Sequence, residues 1–175
     1  VNDEVAGVPV AVTFCPLCNS AITFDRRYGD EVFEFGVSGL LRNSDLIMYD
    51  RTTETLWQQF TGEGVVGELA TGQLTLLPST LISYADFKAA YPHGIVQSRD
   101  TGFSRRYGNN PYAGYDAVGS NPFLYSGEID GRLPAMARVV SVPLGGVDVA
   151  YPLAVLQEQR VIHDTQAGQD LVVFH

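Results

Sequence analysis

Apolar and polar residues alternate in short runs along most of this chain: VPVAVTF (8–14), EVFEFGV (31–37), LIMYD (46–50), TLWQQF (55–60), QLTLLP (73–78), ARVVSV (137–142), VDVAY (147–151) and LVVFH (171–175). A period of two, on β-branched and aromatic residues and interrupted by glycines, turns one face of each run toward a core. It predicts a mainly β fold, an antiparallel sheet or barrel-like domain with long loops. RRYGDEVF (26–33) and SVPLGGVDVAYP (141–152) read as hairpins; the second turns on Gly145-Gly146, where positive φ meets no Cβ clash. One principal helix is predicted in SYADFKAAYPHG (83–94), with Ser83 as N-cap, Asp86 in its first turn and Pro92 as its stop. A shorter helix is predicted after Pro152 in PLAVLQEQ. Residues 100–134, crowded with Gly, Asn, Pro and Tyr, read as a long loop whose aromatic content argues for packing rather than disorder.

At 175 residues, 45% of them hydrophobic, the chain has the size of one β-rich domain, 1–175, that buries about two thirds of its unfolded surface. It begins just before one strand-like run and stops on another, DLVVFH. We therefore expect a portion of a longer protein, with an apolar edge that favours self-association. Eleven basic residues against twenty acidic ones leave a net charge of −9, and Lys88 is the single lysine. Nucleic acid and anionic membrane surfaces are poor partners for that charge, because phosphate backbones need a basic stripe. No run of about eighteen apolar residues is present, so no membrane-spanning helix is expected.

The chemistry concentrates at TFCPLCNSAITFDRR (13–27), which holds both cysteines, Cys15 and Cys18. Three readings of this CPLC compete. As a structural disulfide it closes a loop of four residues, worth roughly 2 kcal/mol before strain, and a core of this size does not need it. As a redox pair it lacks the helix that normally follows a reactive CxxC and stabilises its thiolate, since NSAITFDRR is strand-like. As a metal clamp, two thiolates on a tight turn form a soft half-site suited to copper or zinc.

A closed zinc site needs four ligands, and no second CxxC or paired histidines are present. Two further ligands are available in principle. AGVPVAVTFC (6–15) and AGQDLVVFH (167–175) echo each other from an Ala-Gly turn to the last residue, which sets Cys15 opposite His175 and suggests half of a pseudo-repeat. Met48 in DLIMYD offers a weak thioether. Cys15, Cys18, His175 and Met48 make a copper-like set, with zinc as the alternative.

Other candidates carry bland readings. His163 in VIHDT neighbours Asp164, but adjacent strand residues face opposite ways. FGVSGLLRNSD (35–45) looks like a nucleophile elbow yet lacks its second glycine; Gly39 there fits a tight turn, and Ser44 with Asp45 a local turn. Asp50 and Arg51 read as ion-pair members, and Trp57 as core.

The order CPLC, then FGVSGLLRNSDLIMYDRTTETLWQQFTGEGVVG, then TGFSRRYGNNPY resembles that of a bacterial family catalogued as domain of unknown function 3179, over most of the chain. The resemblance implies an exported or lipid-anchored protein, periplasmic or extracellular, and a second half beyond His175. Our leading expectation is an exported metal-binding domain using copper for electron transfer or metal handling, with an unidentified protein or an electron-transfer partner. The alternatives are a thiol-disulfide oxidoreductase and an extracellular interaction module stapled by a disulfide.

Overall fold

The computed structural model describes the backbone of residues 1–175 and every side chain except that of residue 143. Alternation translates into strand as expected: the chain is mostly β, 40% strand and 8% helix, all in antiparallel sheets. In chain order the elements are β1 (Asn2–Val5), β2 (Val8–Cys15), β3 (Ser20–Asp25), β4 (Arg27–Tyr28), β5 (Glu31–Val32), β6 (Phe35–Arg42), β7 (Asp45–Asp50), β8 (Leu56–Gln58), β9 (Gly64–Val66) and β10 (Leu76–Leu77). There follow α1 (Tyr84–Ala90), β11 (Val139–Leu144), β12 (Val147–Pro152), α2 (Leu153–Gln159), β13 (Val161–Gln166) and β14 (Gln169–Phe174). Both predicted helices form, and the Ser83 side chain caps α1 by accepting from the Asp86 N–H. Among the described residues no closed barrel forms; the barrel expectation gives way to open sheets.

The chain divides into two compact units. The first spans Val1–Ala113 with Leu124–Ser126, and the second Gly114–Phe123 with Gly127–His175. The first holds two four-stranded sheets, ordered β1-β2-β3-β10 and β6-β7-β8-β9, and the small β4-β5 hairpin. Its core is aromatic: Phe24, Phe33, Phe35 and Trp57 are buried with Ala11, Met48 and Leu74. Tyr28 meets Trp57 edge-on with centroids 5.5 Å apart, and Phe35 meets it at 6.4 Å, geometries each worth about 0.5–1.5 kcal/mol beyond burial. Gly39, expected in a turn, instead lies within β6 at φ 80°, where the β6–β7 register shifts between Val37 and Leu41.

The second unit comprises the hairpins β11-β12 and β13-β14 with α2, around Tyr151, Leu156 and Val173. The Ala-Gly echo has a local cause. Ala6-Gly7 and Ala167-Gly168 both sit at positive φ (51° and 78°; 49° and 74°) in two-residue loops joining β1 to β2 and β13 to β14. Those are the dihedrals a right-twisted hairpin needs. The strands that follow belong to different sheets, so the likeness is one of turn chemistry.

Candidate metal centre

Two hairpin tips of the first unit build the site. The β2–β3 ladder closes at the pair Cys15–Ser20, leaving a turn of Pro16, Leu17, Cys18 and Asn19, with Leu17 buried and Asn19 at φ 51°. The β6–β7 ladder closes at Arg42–Asp45 over the two-residue turn Asn43-Ser44, at φ 51° and 68°. That turn therefore sits one residue earlier than the Ser44-Asp45 reading, and Asp45 opens β7. Buried Gln59 joins the two hairpins. Its N–H donates to the Leu46 carbonyl at 2.9 Å, its amide nitrogen donates to the Thr13 hydroxyl at 2.9 Å, and its amide oxygen accepts from the Ser20 hydroxyl at 2.8 Å.

Held this way, the Cys15 and Cys18 sulfurs are 3.5 Å apart as free thiols. The Cys18 Sγ lies 3.4 Å from Asp45 Oδ1 and 3.5 Å from the Ser44 carbonyl oxygen, which is 4.0 Å from the Cys15 Sγ. The ligand atoms of Cys15, Cys18 and Asp45 all fall within 4.8 Å of one another, close enough to hold a metal ion. Bonds of about 2.0–2.3 Å to one tetrahedral ion place ligand atoms roughly 3.3–3.8 Å apart. Asp45, only 3% exposed, accepts one strong hydrogen bond, from the Phe60 N–H to Oδ2 at 2.9 Å.

The two sulfurs differ electrostatically. The hydrogen bond with Cys18, aided by backbone N–H donors and opposed by burial, lowers the Cys15 thiol to about 6. That same bond, then burial and the negative charges of Cys15 and Asp45, pushes Cys18 well above an ordinary thiol.

The remaining sequence candidates are placed as follows. Met48 lies in the aromatic core, and strand alternation points it to the face opposite Asp45. His175 ends the second unit, where its Nδ1 is 3.3 Å from Arg160 Nη1. His163 is exposed, and Asp164 instead accepts from the Tyr151 hydroxyl at 2.9 Å. Sequence reasoning missed Asp45 and Gln59; neither carries a local signal, because their roles depend on contacts 27 and 39 residues away.

The family model described as "Protein of unknown function (DUF3179)" matches residues 1–175, the whole chain. No curated protein and no solved structure matches it. Among the described residues no helix is long and apolar enough to cross a membrane.

Proposed function

The chain belongs to this family of proteins of unknown function, and from its site we propose an exported metal-binding protein whose centre is built on Cys15, Cys18 and Asp45. The observation that carries the reading is the convergence, within 4.8 Å, of two thiols and a buried carboxylate from two separate hairpin tips. A buried charge with one strong hydrogen bond calls for a compensating cation. Two thiolates select soft or borderline ions, which keeps copper and zinc in view, and the Asp45 oxygen weighs toward zinc, for which carboxylates are ordinary ligands. The Ser44 carbonyl is a neutral fourth donor at the same place. Copper would suit electron transfer and zinc metal handling; export is carried over as the expectation that the family resemblance implies.

The test is metal analysis of reduced protein purified without chelator, followed by titration with Zn(II) and with Cu(I) against a competing chromophoric chelator. One equivalent is expected, lost in Cys15→Ser and Cys18→Ser and weakened in Asp45→Asn. His175→Ala and Met48→Leu read the two further ligands suggested by the sequence: a fall in affinity adds that residue to the set. A reduced chain that takes up neither metal overturns the reading.

One observation favours a second reading, a thiol-disulfide oxidoreductase. The cysteines are unbonded, adjacent and unequal in acidity, with Cys15 at about 6, as dithiol chemistry requires. Against it, β3 begins two residues after Cys18, so no helix N-terminus supports the thiolate.

A further inference from the structure

Resting on the metal-centre reading, we infer that Cys18 is the sulfur at which an external disulfide oxidises this loop, that Cys15 resolves the mixed disulfide, and that closing the Cys15–Cys18 bond expels the metal. The order follows from access. Cys15 is 1% exposed at the end of β2, whereas Cys18, three residues on in the turn, is partly exposed. An incoming disulfide therefore meets Cys18 first. The second thiol waits behind it at the end of β2, 3.5 Å away, against about 2.05 Å in a disulfide. The position of Asp45, 3.4 Å from Cys18, also selects the oxidant: its carboxylate disfavours an anionic disulfide relative to a cationic one.

The exchange balances in two steps. In the loaded centre the metal holds both sulfurs as thiolates, and the exposed Cys18 thiolate attacks one sulfur of R–S–S–R while the first R–S⁻ leaves. The Cys15 thiolate then attacks the Cys18 sulfur of the mixed disulfide, and the second R–S⁻ leaves. Two electrons pass from the cysteine pair to the disulfide, and the two leaving thiolates take protons from solvent. The metal keeps its own charge and loses both sulfur ligands. The Asp45 carboxylate and Ser44 carbonyl alone are a poor site for a thiophilic ion, so oxidation and metal occupancy exclude each other.

The reduced, zinc-loaded chain is treated anaerobically with cystamine, a cationic disulfide, while zinc release is read with a chromogenic chelator and adducts by intact mass. Wild type is expected to release zinc in step with the loss of two thiols and to retain no adduct. In the metal-free reduced variants, Cys15→Ser should accumulate a mixed disulfide on Cys18, and Cys18→Ser should react about tenfold or more slowly. Because a change at buried Cys15 can disturb folding, the order is also read on reduced, zinc-loaded wild type, where both sulfurs are thiolates, by brief iodoacetamide labelling and peptide mapping, with Cys18 labelled first. Labelling of Cys15 first overturns the order. A wild type that forms the bond yet keeps its zinc overturns the coupling. A chain that binds no zinc or copper overturns the metal-centre reading instead, and the order is then decided by the two metal-free variants alone.

Discussion

Strand β7 carries a buried aspartate at each end, and the protein treats them oppositely. Asp50, fully buried, accepts from the backbone N–H groups of Thr52 and Thr53 at 3.1 and 2.6 Å, from the Thr53 hydroxyl at 2.8 Å and from the Trp57 indole at 2.9 Å. Asp45 has one N–H donor, from Phe60, and beside its other oxygen a weakly donating sulfur. A carboxylate saturated by its own turn and core is a structural hub with no capacity left for a ligand. A carboxylate buried with a single strong donor, next to two thiols, still has lone pairs to give. The difference separates a carboxylate whose acceptor capacity is filled from one with capacity to spare better than burial does, since both are buried.

The largest expected effect is at the saturated end. Asp50→Ala should cost about 3–5 kcal/mol in urea unfolding, because it leaves the Trp57 indole and two backbone N–H groups unpaired inside the protein. Burial pushes the Asp50 carboxyl up, but the bonds from Thr53, Trp57 and Thr52 outweigh it and hold the group below the ordinary carboxylate value. Its folded value lies below its unfolded one, so its contribution is fully present above about pH 4 and is lost as pH falls through the folded value. Asp45→Asn, which keeps an acceptor for the Phe60 N–H, should change metal-free stability by less than about 1 kcal/mol. Equal costs at the two ends would erase the comparison.

Metal should act only at the unsaturated end. Free zinc at one hundred times its dissociation constant should stabilise the reduced chain by about 2.7 kcal/mol. A tenfold loss of affinity in Asp45→Asn removes about 1.4 kcal/mol of that gain at the same zinc concentration. Thermal unfolding with and without zinc measures both, and zinc should leave the cost of Asp50→Ala unchanged.

A third measurement follows the thiols of the reduced, metal-free chain by their thiolate absorbance. One group should ionise at about pH 6, and Cys18→Ser should move that transition toward an ordinary thiol, because the sulfur that lowers Cys15 is gone. Protons compete with metal for the thiolates, so zinc affinity should fall as pH drops.

The smallest effect belongs to the turn beside Asp45. Ser44 holds φ 68° and its buried hydroxyl has no hydrogen-bond partner, so Ser44→Gly should stabilise the chain by roughly 0.5–1 kcal/mol while retaining the carbonyl at the site. A loss of zinc affinity in this variant would show that the hydroxyl itself takes part.

Much of the fold was legible because its causes are local. Ser83 caps α1 through its own third neighbour, Gly145-Gly146 turns β11 into β12, and DRTT wraps Asp50 with donors two and three residues away. Periodicity likewise assigned Trp57 to the core before any contact was known. The site was half legible: CPLC puts two sulfurs on one turn whatever surrounds them, whereas the ion-pair reading of Asp50 and the turn reading of Asp45 looked only at sequence neighbours.

Residue order by itself determined most strands, the Gly145-Gly146 hairpin turn, both helix starts and the cysteine pair, because each depends on dihedral preferences and contacts spanning a few positions. Only the tertiary structure decided that the sheets stay open, that Gln59 locks two hairpins together, and that Asp45 rather than a nearer side chain stands 3.4 Å from Cys18. These are meetings between sheets, determined by how apolar faces pack in three dimensions, and no local pattern along the chain encodes which two turn tips will face each other.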